Sequence, residues 1–318
     1  MMLPFVASGP GAPEVALALA AVAAEHWALP PPVLMRTGMN ALFAAGDDVV
    51  LRVGRPTADP VAAVWLGEWL AGHGIRAPRM ARHGVFLEQP EQPEQPEQPE
   101  QPEQPEQPVF GGLAVHAMVR ERASGSIDWA EVGSMVAQLH RLDPAEVAGC
   151  YPTPWCSSFP WWDFDVLLSD VASDLDPPAL SGIERALARH RGWRDGVDEV
   201  VLCHGDVHPG NVIPTEAGPV LIDWDLMCLG PASWDHAPLM TWTDRWGGEA
   251  GVYEAFADGY GRSLRGDQVA EALAELRLVA ATLMRVRAGR TDPGAAEEAE
   301  RRLRWWRGDR SAPTWRAA

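Results

Sequence analysis

Two carboxylates and one amide stand at short spacings in the middle of the chain. Asn211 follows Asp206 by five residues, and Asp223 follows Asp206 by 17 residues. Phosphoryl transfer needs such a set: one carboxylate orients the attacking hydroxyl and accepts its proton, while an amide oxygen and a second carboxylate hold Mg²⁺ against the phosphate oxygens. The residue types and their spacing therefore indicate phosphoryl transfer.

Each carboxylate follows a short apolar run. Residues 200–203 precede the stretch that contains Asp206, and residues 220–222 run directly into Asp223. Polar side chains at the ends of buried strands are held with precision, because the strands fix the backbone on which they stand. We therefore expect two strand–loop elements that carry the chemistry and lie among helices.

Two motifs carry a resemblance to a known family. Residues 204–211 read HGDVHPGN and residues 222–225 read IDWD. Together they resemble the signature of the aminoglycoside phosphotransferases, which are small-molecule relatives of the protein kinases. A weaker resemblance extends from about residue 36 to residue 287. It implies a two-lobed protein-kinase-like fold, ATP or GTP as the phosphate donor, and Mg²⁺ as the cofactor.

The resemblance also implies residue roles. Asp206 is expected to be the catalytic base, Asn211 a metal ligand and Asp223 the principal metal ligand. Asp235 resembles the family's structural aspartate, which braces the catalytic loop. Residues 138–142, which read QLHRL, resemble the family's helix ending in Leu-His.

Other residues of the motifs leave alternatives open. His204 is interpreted as a buried tether of the loop backbone in preference to a proton-transfer group, and His208 as structural. Asp225 is either a second carboxylate near the metal or a group that braces the loop. A rival class is a zinc hydrolase, because His204, Asp206 and His208 alternate and His236 is the nearest further ligand. The Gly and Pro residues around them suit a loop better than a strand face.

Hydrophobic periodicity predicts an α+β chain with a small β-rich N-lobe (1–116) and a larger, mainly helical C-lobe (117–318). The predicted helices cover 14–27, 60–72, 129–142, 179–192, 231–243, 249–264, 267–288 and 294–307, and the predicted strands cover 33–35, 41–45, 49–53, 83–87 and 109–119. The first three strands, joined by tight turns, should form an antiparallel meander.

Seven perfect copies of Glu-Gln-Pro fill residues 88–108. Proline at every third position excludes a helix or a central strand, so we expect polyproline II or coil at the tip of a β-hairpin. A perfect triplet repeat at a hairpin tip is interpreted as a tolerated expansion without a function. Partner binding is the alternative.

The N-lobe holds the candidate nucleotide residues. The turn around Gly38 and Asn40 resembles the family's loop over the phosphates, and an ordinary hairpin turn is the equal alternative. Arg52 occupies the position where kinases carry a lysine that contacts the phosphates, and Glu68 is the only acidic residue on the next helix that could pair with it. This departure from the family pattern raises a second class of function, a catalytically weak nucleotide-binding protein on a kinase scaffold.

The strand ending at 119 should lead to the hinge between the lobes. Backbone groups of Met118 and Val119 are expected to bond the base edge of the nucleotide. Because those contacts use the main chain, the sequence does not distinguish ATP from GTP.

Composition limits the partners. The net charge is −18 and the chain contains no lysine, so a basic surface for nucleic acid is excluded. No apolar run approaches the length of a membrane span. The four cysteines form no C-x-x-C pair, which favours a reducing compartment and predicts a cytoplasmic protein.

The acidity is compatible with a small cationic acceptor, although a solvated acidic surface is the preferred interpretation. Acidic and indole side chains of the C-lobe are the acceptor-site candidates: Asp163, Asp165, Asp244, Glu254, Asp258, Trp155, Trp161, Trp162, Trp242 and Trp246. We expect a cationic, hydroxylated, antibiotic-like acceptor. A metabolite kinase of the choline, homoserine or methylthioribose type is the alternative.

Overall fold

The computed structural model describes residues 13–38, 40–87 and 112–316, with only the backbone described at 82 and 83. These residues form two compact units. The first consists of the described part of Met1–Leu70 together with Pro78–Arg122, and the second consists of Ala71–Ala77 and the described part of Ala123–Ala318. The Glu-Gln-Pro repeat lies outside the described residues.

The first unit is built on a five-stranded antiparallel sheet. Its elements are α1 (Pro13–His26), β1 (Val33–Arg36), β2 (Ala41–Ala44), β3 (Val49–Gly54), α2 (Pro60–Gly72), β4 (Met80–Leu87) and β5 (Ala114–Val119). The strand order is β1-β2-β3-β5-β4. The predicted meander and the predicted pairing of the last two strands are confirmed. The predicted lobe boundary between 116 and 117 falls inside β5, and it stays a prediction.

The core of this unit lies between α1 and one face of the sheet. Small alanines and Leu19 of α1 pack with the buried Phe43, Leu51 and Val115. Because side chains alternate along a strand, the burial of Leu51 and Val53 places Arg52 on the opposite face of β3. Arg52 therefore lies on the face of the sheet that does not pack against α1.

The second unit is mainly helical, as predicted. Its helices are α3 (Trp129–Leu139), α4 (Phe164–Val171), α5 (Pro177–His190), α6 (Ser233–Met240), α7 (Trp242–Trp246), α8 (Val252–Tyr260), α9 (Gln268–Ala288) and α10 (Pro293–Trp306). Its strands are β6 (Val201–Cys203), β7 (Val212–Thr215), β8 (Gly218–Leu221) and β9 (Cys228–Gly230). Aspartate side chains cap the first turns of α3, α4, α5, α9 and α10.

Two predicted helices differ from the structure. The stretch predicted as one helix over 231–243 is α6 followed by the short α7, with Thr241 between them. The helix predicted over 249–264 is only α8, because Gly251 and Gly261 both adopt left-handed backbone conformations at its ends. Both errors come from local backbone geometry that apolar periodicity does not report.

The two apolar runs that precede the carboxylates form strands, but they do not pair with each other. β6 pairs antiparallel with β9, with Cys203 opposite Cys228. β8 pairs antiparallel with β7, with Leu221 opposite Val212. Both partner strands, β7 and β9, were absent from the sequence prediction. These two antiparallel pairs, β6–β9 and β7–β8, are called ribbons below. The 204–211 segment begins at the end of β6 and ends at the start of β7, so each ribbon holds one of its ends. The segment that contains Asp223 lies between β8 and β9, so the ribbons hold it in the same way.

α9 is the central helix of the second unit. Its 21 residues include twelve buried ones, and it packs with α4, α5, α6 and α10. α3 packs closely against α8, and a methyl group added at Gly133 or Gly259 would collide with backbone of the facing helix. Among the described residues, no helix is both long and apolar enough to cross a membrane.

Candidate active site

The loop between β6 and β7 carries the HGDVHPGN motif. Gly205 adopts φ +97°, and a Cβ there would clash with the carbonyl of Leu226. A tight turn at Pro209–Asn211 ends the loop, and His208 Nδ1 accepts a 3.0 Å hydrogen bond from Gly210 N. The backbone path therefore requires glycine at 205, because only glycine fits both the conformation and the close approach.

A buried carboxylate fixes the start of this loop. Asp235, fully buried on α6, accepts hydrogen bonds from the backbone N–H groups of His204 and Gly205, both at 2.8 Å. It also lies 3.1 Å from His140 Nε2. Burial opposes ionisation of Asp235, but its bond to His140 and the N–H of Gly205 hold its pKa below the usual range. The predicted bracing role of Asp235 is confirmed by these contacts.

His204 ties the two ribbons together. Its Nδ1 accepts from the backbone N–H of Asp206 at 3.2 Å, and its Nε2 donates to the carbonyl of Ile222 at 3.0 Å. Burial lowers its pKa, against the charges of Asp235 and Asp206, so the neutral imidazole that these bonds require is favoured. Both ring nitrogens are thus used in structural hydrogen bonds, as the tether interpretation predicted.

The hydrogen bonds of His204 argue against the zinc hydrolase alternative. His204 has no nitrogen left for a metal, and His236 Nδ1 lies 3.3 Å from the hydroxyl of Tyr253 among the rings of α8. His204, one of the two alternating histidines, therefore has no free nitrogen for a zinc ion.

Asp206 and Asn211 are held against each other. The amide nitrogen of Asn211 donates to the backbone carbonyl of Asp206 at 2.9 Å and to Asp206 Oδ2 at 3.2 Å. Because the amide nitrogen faces Asp206, the amide oxygen is the atom that remains for a cation. The turn at 209–211 explains the five-residue spacing, since it folds Asn211 back onto the carboxylate.

Two basic side chains contact the carboxylate of Asp206. His208 Nε2 lies 3.3 Å from Oδ2, and Arg277 Nη1 lies 3.3 Å from Oδ1. Burial alone would raise the pKa of Asp206, but the contacts with His208 and Arg277 hold it well below its usual range. In return, the charge of Asp206 raises the pKa of His208 against the effect of burial. Asp206 is therefore ionised at neutral pH.

Sequence reasoning missed Arg277. It stands 71 residues beyond Asp206 on α9, so no local motif joins the two. One signal was available: Arg277 follows Leu273 by four residues and precedes Ala280 by three, which places a charge inside the apolar face of α9. A buried arginine on such a face needs an anionic or carbonyl partner.

Asp223 follows β8 in a left-handed conformation, φ 66° and ψ 62°. Such a conformation is uncommon outside glycine and costs about 1–3 kcal/mol, and it is typical of functional sites. The preceding residue, Ile222, donates its N–H to the carbonyl of Asn211 at 2.9 Å. The charge of Asp223 also acts on His208. The ribbons therefore bring the backbones of the two expected metal ligands together.

The donor set fits Mg²⁺. Asn211 offers an amide oxygen and Asp223 a carboxylate, and Mg²⁺ binds through few protein oxygens together with water and phosphate oxygens. Both residues stand on backbone that is fixed by hydrogen bonds, so the site would be formed before the ion binds. Asp225 lies in the turn after Asp223 and is partly exposed.

The candidate nucleotide residues lie in the first unit. Asn40 packs its side chain against the backbone of Gly54, at the end of β3. Gly38 is described, whereas Met39 lies outside the described residues. Glu68 is exposed on α2, and its pairing with Arg52 stays a prediction.

Met118 and Val119 end β5, the strand that was expected to lead to the hinge. Met118 pairs with Val50, and the N–H of Val119 donates to the carbonyl of Arg79 at 2.8 Å. That N–H is used inside the unit. A contact to the base at Val119 would therefore have to use its carbonyl.

Several acceptor-site candidates have structural roles instead. Asp163 caps α4 by accepting from Val166 N at 3.1 Å, and Glu254 pairs with Arg265. Three of the indoles are in the core: Trp161 and Trp162 pack on Trp234, and Trp246 packs on Trp315. Trp155 is half-buried, and three carboxylates are exposed at the surface: Asp165, Asp244 and Asp258. Trp242 stacks on His208 with ring centroids 6.4 Å apart. Trp242 therefore lies beside a histidine that contacts Asp206.

The chain belongs to the phosphotransferase enzyme family, whose model matches residues 42–277. The family resemblance of the two motifs is confirmed by this match. No curated protein matches the chain at a significant level.

Solved structures show the fold. A spectinomycin phosphotransferase in complex with ADP and spectinomycin is 14% identical, covers 87% of this chain and 89% of its own, and superposes with a TM-score of 0.60. A choline/ethanolamine kinase family protein from Mesorhizobium loti is 16% identical over 93% of this chain and 96% of its own, with a TM-score of 0.61. An amicoumacin kinase in complex with AMP-PNP and Ca²⁺ is 13% identical over 93% of this chain and 95% of its own, with a TM-score of 0.60. The kinase-like α+β fold predicted from the sequence is confirmed.

Proposed function

We propose that the protein is a small-molecule kinase that transfers the γ-phosphoryl group of ATP or GTP to a hydroxyl of a small acceptor. One observation carries the proposal. The amide of Asn211 binds the carboxylate of Asp206, and the residue before Asp223 binds the backbone of Asn211. A base and two oxygen ligands are thereby assembled on one framework, as phosphoryl transfer requires.

Asp206 is assigned to orient the acceptor hydroxyl and to accept its proton. The acceptor oxygen attacks the γ-phosphorus in line, its proton passes to the Asp206 carboxylate, and the bond between the γ-phosphorus and the bridging oxygen breaks to release the nucleoside diphosphate. Because the pKa of Asp206 is low, the carboxylate is a weak base that orients the hydroxyl early and takes the proton late. Mg²⁺ held by Asn211 and Asp223 would supply charge neutralisation at the phosphate oxygens.

The first unit supplies the proposed donor site. We assign the phosphates to Arg52 and to the turn with Gly38 and Asn40, and the base edge to backbone groups of Met118 and Val119. Arg52 in place of a lysine changes the geometry of the phosphate contact, since guanidinium binds through a planar fork. A catalytically weak nucleotide-binding protein is therefore the second candidate, and only turnover distinguishes the two.

The acceptor is proposed to be a cationic, hydroxylated antibiotic, in a resistance or self-protection role. The net charge of −18 supports a cation, and so do fold neighbours solved with spectinomycin, gentamicin and kanamycin. Asp163 and Glu254 support a cationic acceptor less directly, because Asp163 caps α4 and Glu254 pairs with Arg265. The choline/ethanolamine kinase family neighbour favours a metabolite hydroxyl as the second acceptor class.

Free thiols at the four cysteines support a cytoplasmic location.

A panel of acceptors tests this function. The purified protein is incubated with ATP or GTP and Mg²⁺, with single aminoglycosides, macrolides, choline-type amino alcohols or homoserine, and ³¹P NMR follows nucleoside diphosphate and phosphomonoester together. We expect one acceptor class to yield a phosphomonoester in equal amount to the diphosphate. Nucleotide binding without turnover across the panel would favour the catalytically weak alternative.

A further inference from the structure

Arg277 joins three acceptors on two segments of the second unit. Its Nη1 lies 3.3 Å from Asp206 Oδ1, and its Nη2 donates to the carbonyl of Gly205. The same Nη2 lies 3.5 Å from the carbonyl of Trp234 on α6. One planar group therefore links the base, the backbone next to the base and the helix that carries the brace Asp235.

The guanidinium of Arg277 is held in place by two indoles. It lies 4.8 Å from the ring centre of Trp234 and 5.4 Å from that of Trp161. Trp234 is fully buried, and the side chain of Arg277 is only 12% exposed. Cation–π contacts of this kind fix the orientation of a desolvated guanidinium. Arg277 is therefore a rigid group, whose position is set by packing.

The two oxygens of Asp206 have different environments. Oδ2 faces Asn211 and His208, and the side chain of His208 is 30% exposed. Oδ1 faces the enclosed Arg277. A carboxylate held at only one oxygen can rotate about its bond to Cβ, whereas contacts at both oxygens fix its plane.

We propose that Arg277 is a positioning residue of the phosphotransfer reaction, which fixes the plane of the Asp206 carboxylate through Oδ1 and the loop backbone through the carbonyl of Gly205. This inference rests on the proposed function. Lysine cannot reproduce it, because an ammonium group is a compact point charge and does not bridge two segments with a planar fork.

The test compares Arg277→Met and Arg277→Lys with Arg302→Met. Arg302 is the matched control: it is a buried arginine of the same unit, stacked on Trp246 and Trp315, and its hydrogen bonds go to Glu298, Ala281 and Arg316. Each variant is measured for thermal unfolding, for the Kd of Mg²⁺-ATP, and for kcat and KM of ATP turnover with the acceptor found in the panel.

We expect Arg277→Met to reduce kcat per folded molecule about a hundredfold, with the Kd of Mg²⁺-ATP within about twofold of wild type. Arg277→Lys should recover part of that loss, since it restores the charge without the fork. Arg302→Met should lower the unfolding temperature and keep kcat per folded molecule. Unchanged kcat in Arg277→Met, or equal losses in Arg277→Met and Arg302→Met, would overturn the inference.

A spectroscopic readout separates this inference from the proposed function. A fixed guanidinium gives resolved Nη–H signals in ¹⁵N NMR, and in Asp206→Ala the Nη1 signal of Arg277 should shift, because its contact with Oδ1 is lost while Nη2 keeps the carbonyls of Gly205 and Trp234. Absence of turnover in the wild type would refute the function. Merged Arg277 signals in the wild type would refute the positioning contact, and resolved ones would support it, whatever the turnover result.

Discussion

At the scale of single residues, the site depends on charges that hold one another in place. Asp206 is contacted by Asn211 and His208 from its own loop and by Arg277 from α9. Asp223 contributes its charge from a left-handed backbone position. Each of these groups has a fixed geometry before any substrate arrives, which is the condition under which electrostatic stabilisation contributes most to catalysis.

Asp223→Asn should remove the effect of Mg²⁺ on nucleotide binding. Asparagine tolerates the left-handed conformation of Asp223, so the backbone is kept while the charge is lost. We expect the Kd of ATP in the presence of Mg²⁺ to rise by about tenfold or more. Calorimetric titration with and without Mg²⁺ measures this, and the Mg²⁺-free titration is the control. An undiminished Mg²⁺ effect would exclude Asp223 as the principal ligand.

His236 should make the fold sensitive to acid. Burial, with the charge of His140, lowers its pKa to about 3, while in the unfolded chain the imidazole has its usual value of 6.5. Between these values the unfolded state binds more protons, so the free energy of unfolding falls as the pH decreases. The titratable groups around it are His140, Asp235, Tyr253, Tyr260 and Arg262. Between pH 7 and pH 5, the titration of His236 should lower the free energy of unfolding by about 2 kcal/mol.

The variant His236→Gln isolates this contribution. Glutamine can still accept a hydrogen bond from Tyr253 but does not titrate, so its unfolding free energy should decrease less between pH 7 and pH 5. Urea unfolding of both proteins at the two pH values gives the comparison. Equal decreases in the two proteins would show that His236 does not titrate as argued.

At the scale of elements, two short ribbons and one long helix build the site. The ribbons β6–β9 and β7–β8 place the motif residues, and α9 delivers Arg277. The close packing of α3 on α8 supports the same framework, because α3 is followed directly by His140, which contacts Asp235. The stability of this helix pair is therefore linked to the brace of the catalytic loop.

Gly133→Ala and Gly259→Ala should destabilise the protein. Alanine normally favours a helix over glycine by about 1 kcal/mol, but here the added methyl would meet backbone atoms of the facing helix. We expect each variant to lose about 2 kcal/mol in urea unfolding. Gly72→Ala is the control, because no atom lies within 4 Å of its added methyl. A stabilised Gly259→Ala would contradict the described packing.

The sequence predicted those parts of the fold whose signals are local. The meander of the first unit and the long helix α9 have clear periodicity, and both were predicted. β7 and β9 were missed because three or four residues carry no periodic pattern. The site divides in the same way: its motif residues stand close in sequence, whereas the contact of Arg277 with Asp206 depends on how α9 packs.

At the scale of the whole molecule, the chain is an α+β protein of the phosphotransferase family, with a β-rich first unit and a mainly helical second unit. The chemistry proposed here resides in the second unit, and the proposed donor residues reside in the first. Beside Asp206, the rings of His208 and Trp242 lie 6.4 Å apart.

Turnover by Asp206→Asn tests the central claim most directly. Asparagine keeps the size of the side chain and removes the carboxylate that orients the acceptor and takes its proton. In the ³¹P assay with the best acceptor, we expect phosphomonoester formation to fall by about a thousandfold while Mg²⁺-ATP still binds. Formation at a rate close to that of the wild type would contradict the assignment of Asp206 as the catalytic base.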